Sequence, residues 1–197
     1  YKWSFVGTMK NDRDRMVKKL KKLEPNFLHI TENFFSEDHL GPVEYKKIVQ
    51  DSIFVPCPRG YSNFESFRIL ESLENYSIPI FKRELFFDHL KPLYGNHIFL
   101  TSYTWRGVSK KVDFFLKDHH SLENYFNNLM NWYEDYNETL SIKIYDFLND
   151  DNSIGKGDNN KFETFSYKCS LLSFKIQNVF FNTISKVKKI IKFFIKL

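Results

Sequence analysis

The sequence predicts an α/β domain with a parallel sheet, helices on both faces and further helices at its C-terminal end. Three observations predict it. Short apolar runs alternate with amphipathic stretches along the first hundred residues. The connections between them are short and carry Gly, Pro, Asn and Asp. The chain has 197 residues, enough to bury one such core and add helices to it. Strands that alternate with helices pair in parallel, because a parallel pair needs a crossover connection. Right-handed crossovers then bring the C-terminal ends of all strands to one edge, where ligands bind.

Lys2 to Val6 reads as a buried strand ended by Gly7-Thr8. Residues 12–23 read as an amphipathic helix, with Met16, Val17, Leu20 and Leu23 at helical spacing and Asp12 as N-cap. Phe27 to Ile30 is a second strand. Pro42 to Gln50 is a helix that opens on Pro, whose fixed φ suits the first helical position. Ile53 to Pro56 is a third strand. Residues 64–75 form a helix with Phe67, Leu70 and Leu73 facing inward. Ile78 to Phe81 is a fourth strand, and His97 to Thr101 a fifth.

From Ser121 to about Leu148 the pattern turns helical, with Leu122, Tyr125, Phe126, Leu129, Trp132, Tyr133 and Tyr136 recurring at three and four. This stripe reads as core packing. Residues 149–160 (NDDNSIGKGDNN) form a polar, Gly-bearing linker. Residues 161–197 look helical again.

Hydrophobic residues make up 42% of the chain, so it is globular rather than disordered. The net charge of +5 is concentrated in the tail. Residues 184–197 hold five Lys and no acid; without them 24 basic residues face 24 acidic ones. The neutral body argues against a nucleic-acid partner. No apolar run approaches the ~18–20 residues that span a bilayer. Tyr1 lies inside an apolar run, which reads as a fragment or a processed chain. Cys57 and Cys169 make neither a disulfide framework nor a zinc spacing. Asp150-Asp151 lies in the linker and His119-His120 lacks ligands at metal spacing, so no metal site is expected.

The block that carries chemistry runs from residue 53 to residue 81. A short strand ends in Cys57-Pro58-Arg59-Gly60, and a helix follows with Ser66, Arg68 and Glu71 in its first turns. The next strand begins Ile78-Pro79-Ile80. A helix N-terminus and Gly60 expose backbone N–H groups that can receive phosphate oxygens. Arg59 and Arg68 can offer planar donor forks to a diphosphate. Glu71 lies three residues after Arg68 on the same helix face and can accept from two ribose hydroxyls.

The same residues have plainer readings. Arg68 and Glu71 could form a helix-surface ion pair, Arg59 could be a solvated loop cation, and Gly7-Thr8 a plain strand-ending turn. Arg13 reads as a solvated helix residue.

The block resembles the exostosin family of glycosyltransferases. That family shows a pattern near CPRG, then S-x-R-x-x-E/D-A-L, then G-C-I-P-V. Here the pieces stand as Cys57 to Gly60, Ser66 to Leu73 and Ile78 to Ile80, and the opening Trp3 to Thr8 is similar to the strand that starts the family's C-terminal half. The likeness covers roughly residues 1–148 and is strongest in the central block. It implies the C-terminal, donor-binding half of a GT-B fold, in which two Rossmann-like halves face each other. It implies a nucleotide sugar, UDP-linked, as donor, a glycan or glycoprotein acceptor, inversion at the anomeric carbon and no metal. By this likeness Arg59 and Arg68 neutralise the diphosphate, Glu71 holds the ribose, and Gly7, Thr8, Gly60 and Ser66 line the donor site, with Arg13 assisting. The general base would lie on the N-terminal half, so no catalytic residue is assigned in this chain. The likeness implies the Golgi or ER lumen or a membrane-associated place; without it the expectation is cytoplasmic, and the residues alone leave localisation open. Tyr76-Ser77 replaces the family's Gly-Cys, at a point where Gly often ends a helix in a left-handed conformation that Tyr adopts at a cost.

In the tail, Ile184, Val187, Ile190, Ile191, Phe194, Ile195 and Leu197 fall on one helical arc and the five Lys on the opposite one. Such a basic amphipathic helix could lie on an anionic membrane surface, or pack its apolar face on protein as the last helix of a GT-B enzyme does on the N-terminal half. The alternative to a transferase is a degenerate, non-catalytic donor domain kept as a protein- or membrane-attachment module.

Overall fold

The computed structural model describes residues 1–33, 39–60, 66–83 and 90–149, without the side chains of residues 147 and 148. Of the linker expected over 149–160, Asn149 is instead the last residue of a helix, and residues 150–160, the extension 161–197, the amphipathic helix 184–197 and Cys169 lie outside the described residues. The chain divides into two units after Tyr136, and the first, Tyr1–Tyr136, carries the whole sheet.

Five strands form one parallel sheet: β1 (Trp3–Thr8), β2 (Asn26–Thr31), β3 (Phe54–Pro56), β4 (Ile78–Lys82) and β5 (Leu100–Ser102). Their order is β2-β1-β3-β4-β5, so the direction of winding reverses between β1 and β3. β1 is long and paired on both sides; Trp3 registers with Asn26 on β2 and Phe54 on β3. Its Trp3 and Phe5 are fully buried, and the Trp3 indole N–H donates to the Leu23 carbonyl at 3.0 Å. The Phe54, Ile78 and Ile80 side chains complete the middle of the core.

The helices are α1 (Arg13–Leu20), α2 (Pro42–Gln50), α3 (Arg68–Glu74), α4 (Lys91–Tyr94), α5 (Trp105–Lys117) and α6 (His119–Asn149). α1 packs on α5, which also covers β4 and β5. α2 and α3 meet through Tyr45 and Glu71 and cover β1, β3 and β4. Helices therefore stand on both faces, as the alternating pattern predicts. Leu122, Phe126 and Leu129 of α6 are buried, as the stripe predicts, and Trp132 meets Phe99 edge-on at 4.9 Å.

Four local expectations change. α3 begins at Arg68, and its buried side is Ile69, Ser72 and Leu73. Phe67 is 86% exposed, not inward. Arg68 takes the inward turn toward β1, which rotates Phe67 away (Ile69, Ser72 and Leu73 follow at helical spacing). Asp12 stands at the start of α1 but caps nothing with its side chain. Its Oδ2 instead accepts from the Trp105 indole N–H at 2.9 Å and pairs with Lys82 at 3.1 Å. β5 starts only at Leu100, where the chain first registers with Ile80. α5 is an element that the pattern reading passed over. Its signal is present: Thr104 caps it by accepting from the Gly107 N–H at 3.0 Å, and Trp105, Val108 and Val112 recur at helical spacing.

The end of α3 confirms the Tyr76 expectation. Tyr76 has φ +56°, with its N–H on the Leu73 carbonyl and the Ser77 N–H on the Ser72 carbonyl. This is the Schellman closure that normally uses Gly at the left-handed position. Ser77 fits because its hydroxyl meets the Val49 carbonyl at 2.6 Å and the Ser52 carbonyl at 2.8 Å in the core.

Candidate functional site

The direction of winding reverses between β1 and β3, and in open α/β sheets the loops that leave such a pair of strands part to form a crevice at the C-terminal edge. Gly7 and Thr8 end β1 there, and Cys57 to Gly60 leave β3 there. The starts of α1 and α3 bring in Arg13 and Arg68. The topology thus gathers residues that are about fifty positions apart in the sequence.

Arg68 reaches across from α3 to β1. Its Nη2 donates to the Val6 carbonyl at 2.7 Å, and its guanidinium lies 5.1 Å from the Phe5 ring centroid. Gly7 leaves room for it. Gly7 has φ +145°, and a Cβ there would stand 2.7 Å from Arg68 Nη2. The ion pair that Arg68 and Glu71 could form by their plainer reading is not formed among the described residues. Two adjacent arginines therefore share the end of β1, because Arg13 comes to the same place.

Arg13 is not the solvated helix residue that its polar neighbours suggest; it is 5% exposed. Its Nη1 donates to the Thr8 carbonyl at 2.8 Å and to Thr8 Oγ1 at 3.3 Å. Its Nη2 donates to the Arg59 carbonyl at 3.3 Å, which ties the β3 loop to the end of β1. Its Nε is buried without a hydrogen-bond partner. Burial, and then the charge of Arg68, lower the pKa of Arg13; Asp12 pulls weakly the other way. Desolvated like charges of this kind favour an anion between them.

The other predicted site residues are placed as follows. The Arg59 side chain is exposed at the crevice mouth. Gly60 is half-buried, and its carbonyl accepts from the Asn11 side chain at 3.3 Å. Ser66 is buried, and its Oγ accepts from the Arg68 N–H at 3.4 Å. The Ile69 N–H meets the Ser66 carbonyl at 3.0 Å. Two of the first amides of α3, those of Arg68 and Ile69, are thus directed at Ser66. Positive charge here comes from side chains.

Glu71 is half-buried, and its Oε2 accepts from the Tyr45 hydroxyl of α2 at 2.7 Å. Burial, then this hydrogen bond, raise the Tyr45 pKa well above its ordinary value, so the phenol stays a donor. Cys57 is a free, buried thiol beneath the crevice, pushed up to about 12 mainly by burial. Sequence reasoning missed Tyr45 and the burial of Arg13, since nothing near either residue signals a site.

Among the described residues, no group of three His, Cys, Asp or Glu is placed to hold a metal ion, and no helix is long and apolar enough to cross a membrane. The fold defines a Rossmann-like α/β domain, with the Arg13 and Arg68 guanidiniums together at the β1/β3 reversal. No family model, curated protein or solved structure matches the chain.

Proposed function

We propose that this domain is the donor-binding half of a GT-B glycosyltransferase that takes a UDP-linked sugar. The sugar passes, with inversion, to a hydroxyl of a glycan or glycoprotein acceptor. One observation carries the reading: the Arg13 and Arg68 guanidiniums converge on the end of β1 with carbonyl partners and no carboxylate partner among the described residues. A diphosphate supplies the missing charge, and guanidinium forks match its oxygens. The same forks stabilise the charge that grows on the leaving diphosphate as the glycosidic bond breaks. Arg59 is exposed on the loop that leaves β3 and adds a third cation. The acceptor and its general base belong to the opposite half of the enzyme. The motifs at Cys57 to Gly60 and Ser66 to Leu73 support the reading through their likeness to the exostosin family.

Calorimetric titration of the chain with UDP and with GDP tests it. UDP should bind saturably. Arg68→Ala should weaken binding by about 10- to 100-fold, the loss of a charge-assisted hydrogen bond or two. Glu71→Ala should weaken it by about tenfold. Folded wild type that binds neither nucleotide, or binding indifferent to Arg68→Ala, rules the reading out.

A further inference from the structure

We infer that Tyr45 is a positioning residue that aims Glu71 at the ribose hydroxyls and so makes the site prefer a ribonucleotide to a 2′-deoxyribonucleotide. This rests on the donor-site reading above. Tyr45 lies in the first half of α2 and Glu71 in the first turn of α3. Both helices follow strands that end at the ligand edge, so both side chains lie near that edge. The Tyr45 hydroxyl donates to Glu71 Oε2 at 2.7 Å. Oε1 of the same carboxylate has no partner among the described residues.

A carboxylate pinned through one oxygen presents the other in a fixed direction. A half-exposed glutamate without that bond turns among several rotamers and must be ordered when the ligand arrives. Tyr45 removes this ordering from the binding step. It cannot contact the ligand through the same hydrogen, which is committed to Glu71. Its contribution therefore depends on what Glu71 meets. A ligand with the 2′-hydroxyl gains from the aimed oxygen, and one without it gains little. The Tyr45 side chain is half-buried, and Asn75 links α3 to α2 a turn further on by accepting from Gln50 at 3.1 Å.

The experiment titrates the 197-residue chain with UDP and with 2′-deoxy-UDP, as wild type, Tyr45→Phe and Glu71→Gln. Wild type should favour UDP by about tenfold, the value of one hydrogen bond to a charged group. Tyr45→Phe should narrow that ratio to about threefold or less, with 2′-deoxy-UDP affinity within about twofold of wild type. Glu71→Gln should narrow it as well, since a neutral amide is a weaker acceptor. A purely structural Tyr45 would weaken both ligands alike and leave the ratio intact, which overturns the inference. So does an equal affinity of wild type for the two ligands. In both cases Arg68-dependent binding of UDP would leave the donor-site reading standing. Failure of wild type to bind either ligand removes that reading and this inference together.

Discussion

Two stretches of the same sheet edge handle positive charge in opposite ways. At the β4/β5 end, Lys82 pairs with Asp12 at 3.1 Å and the same carboxylate takes the Trp105 indole N–H. Arg83 lies over the Tyr103 ring at 4.6 Å and donates to its hydroxyl at 2.6 Å. At the β1/β3 end, Arg13 and Arg68 donate to carbonyls of Thr8, Arg59 and Val6. Carbonyl dipoles order a guanidinium but do not neutralise it. At one end a carboxylate balances Lys82, and at the other two guanidiniums meet carbonyls in a partly dry place. Natural domains keep such an arrangement where a ligand completes it. The proposed donor site rests on this contrast, since both clusters contain the same residue types.

The largest effect should come from closing the space under Arg68. Gly7 has a φ that side chains rarely adopt, and an added Cβ would meet Arg68 Nη2 at 2.7 Å. Gly7→Val should cost roughly 1–3 kcal/mol of stability from backbone strain. Arg68 must also leave its place over Phe5, so UDP affinity should fall at least as far as in Arg68→Ala. Urea unfolding and calorimetry on the one variant measure both. Wild-type affinity in a destabilised Gly7→Val would show that Arg68 acts from some other position, and the contrast between the two ends would lose its basis.

A smaller effect, and of a different kind, is expected at the balanced end. Asp12→Asn keeps an acceptor for Trp105 and removes the partner of Lys82. Lys82 and Asp12 are mostly shielded from solvent, and the pair should be worth about 1 kcal/mol. Asp12 also pulls on Arg13, so its loss should leave the β1/β3 end slightly more cationic and UDP binding unchanged or up to about twofold tighter. A tenfold loss of UDP affinity in Asp12→Asn would mean that the two ends form one site.

The sequence showed the sheet better than it showed the site. Apolar runs at 3–6, 27–30, 53–56 and 78–81 are short, bounded by turn residues and separated by helices, so each strand could be placed to within a residue or two. Serial spacing also exposed Gly60, Ser66, Arg68 and Glu71, which follow one another across a single strand-loop-helix unit. Arg13 and Tyr45 were illegible for a physical reason. Arg13 follows Asn-Asp and looks solvated, and its burial depends on β1 lying beside β3, whose loop it meets at the Arg59 carbonyl. Tyr45 sits on a helix whose sequence is ordinary, and its partner is 26 residues away. Phe67 misled for the opposite reason: an aromatic at helical spacing reads as core, yet Arg68 claimed the inward direction. Propensity and periodicity describe one element at a time, while strand order decides which elements share an edge.

The smallest predicted effect asks whether the surplus charge reaches the layer below it. Cys57 lies under the crevice, where burial raises its pKa, while a hydrogen bond with Ser72 and the charge of Arg68 pull it down. Burial wins: the thiol is pushed up to about 12 from an ordinary 9.0. The folded chain therefore keeps this proton to a higher pH than the unfolded chain. Stability from this group is complete below about pH 9 and falls as pH rises toward about 12, because the unfolded thiol ionises first. Between pH 8 and pH 10 the loss should be about 1 kcal/mol. Urea unfolding at both pH values, in wild type and in Cys57→Ser, isolates it, because tyrosines that titrate in the same range cancel in the difference. If the two proteins show the same pH dependence, Cys57 ionises as easily folded as unfolded. The charge above it would then outweigh its burial, and the surplus at the β1/β3 end would extend deeper than the guanidiniums themselves.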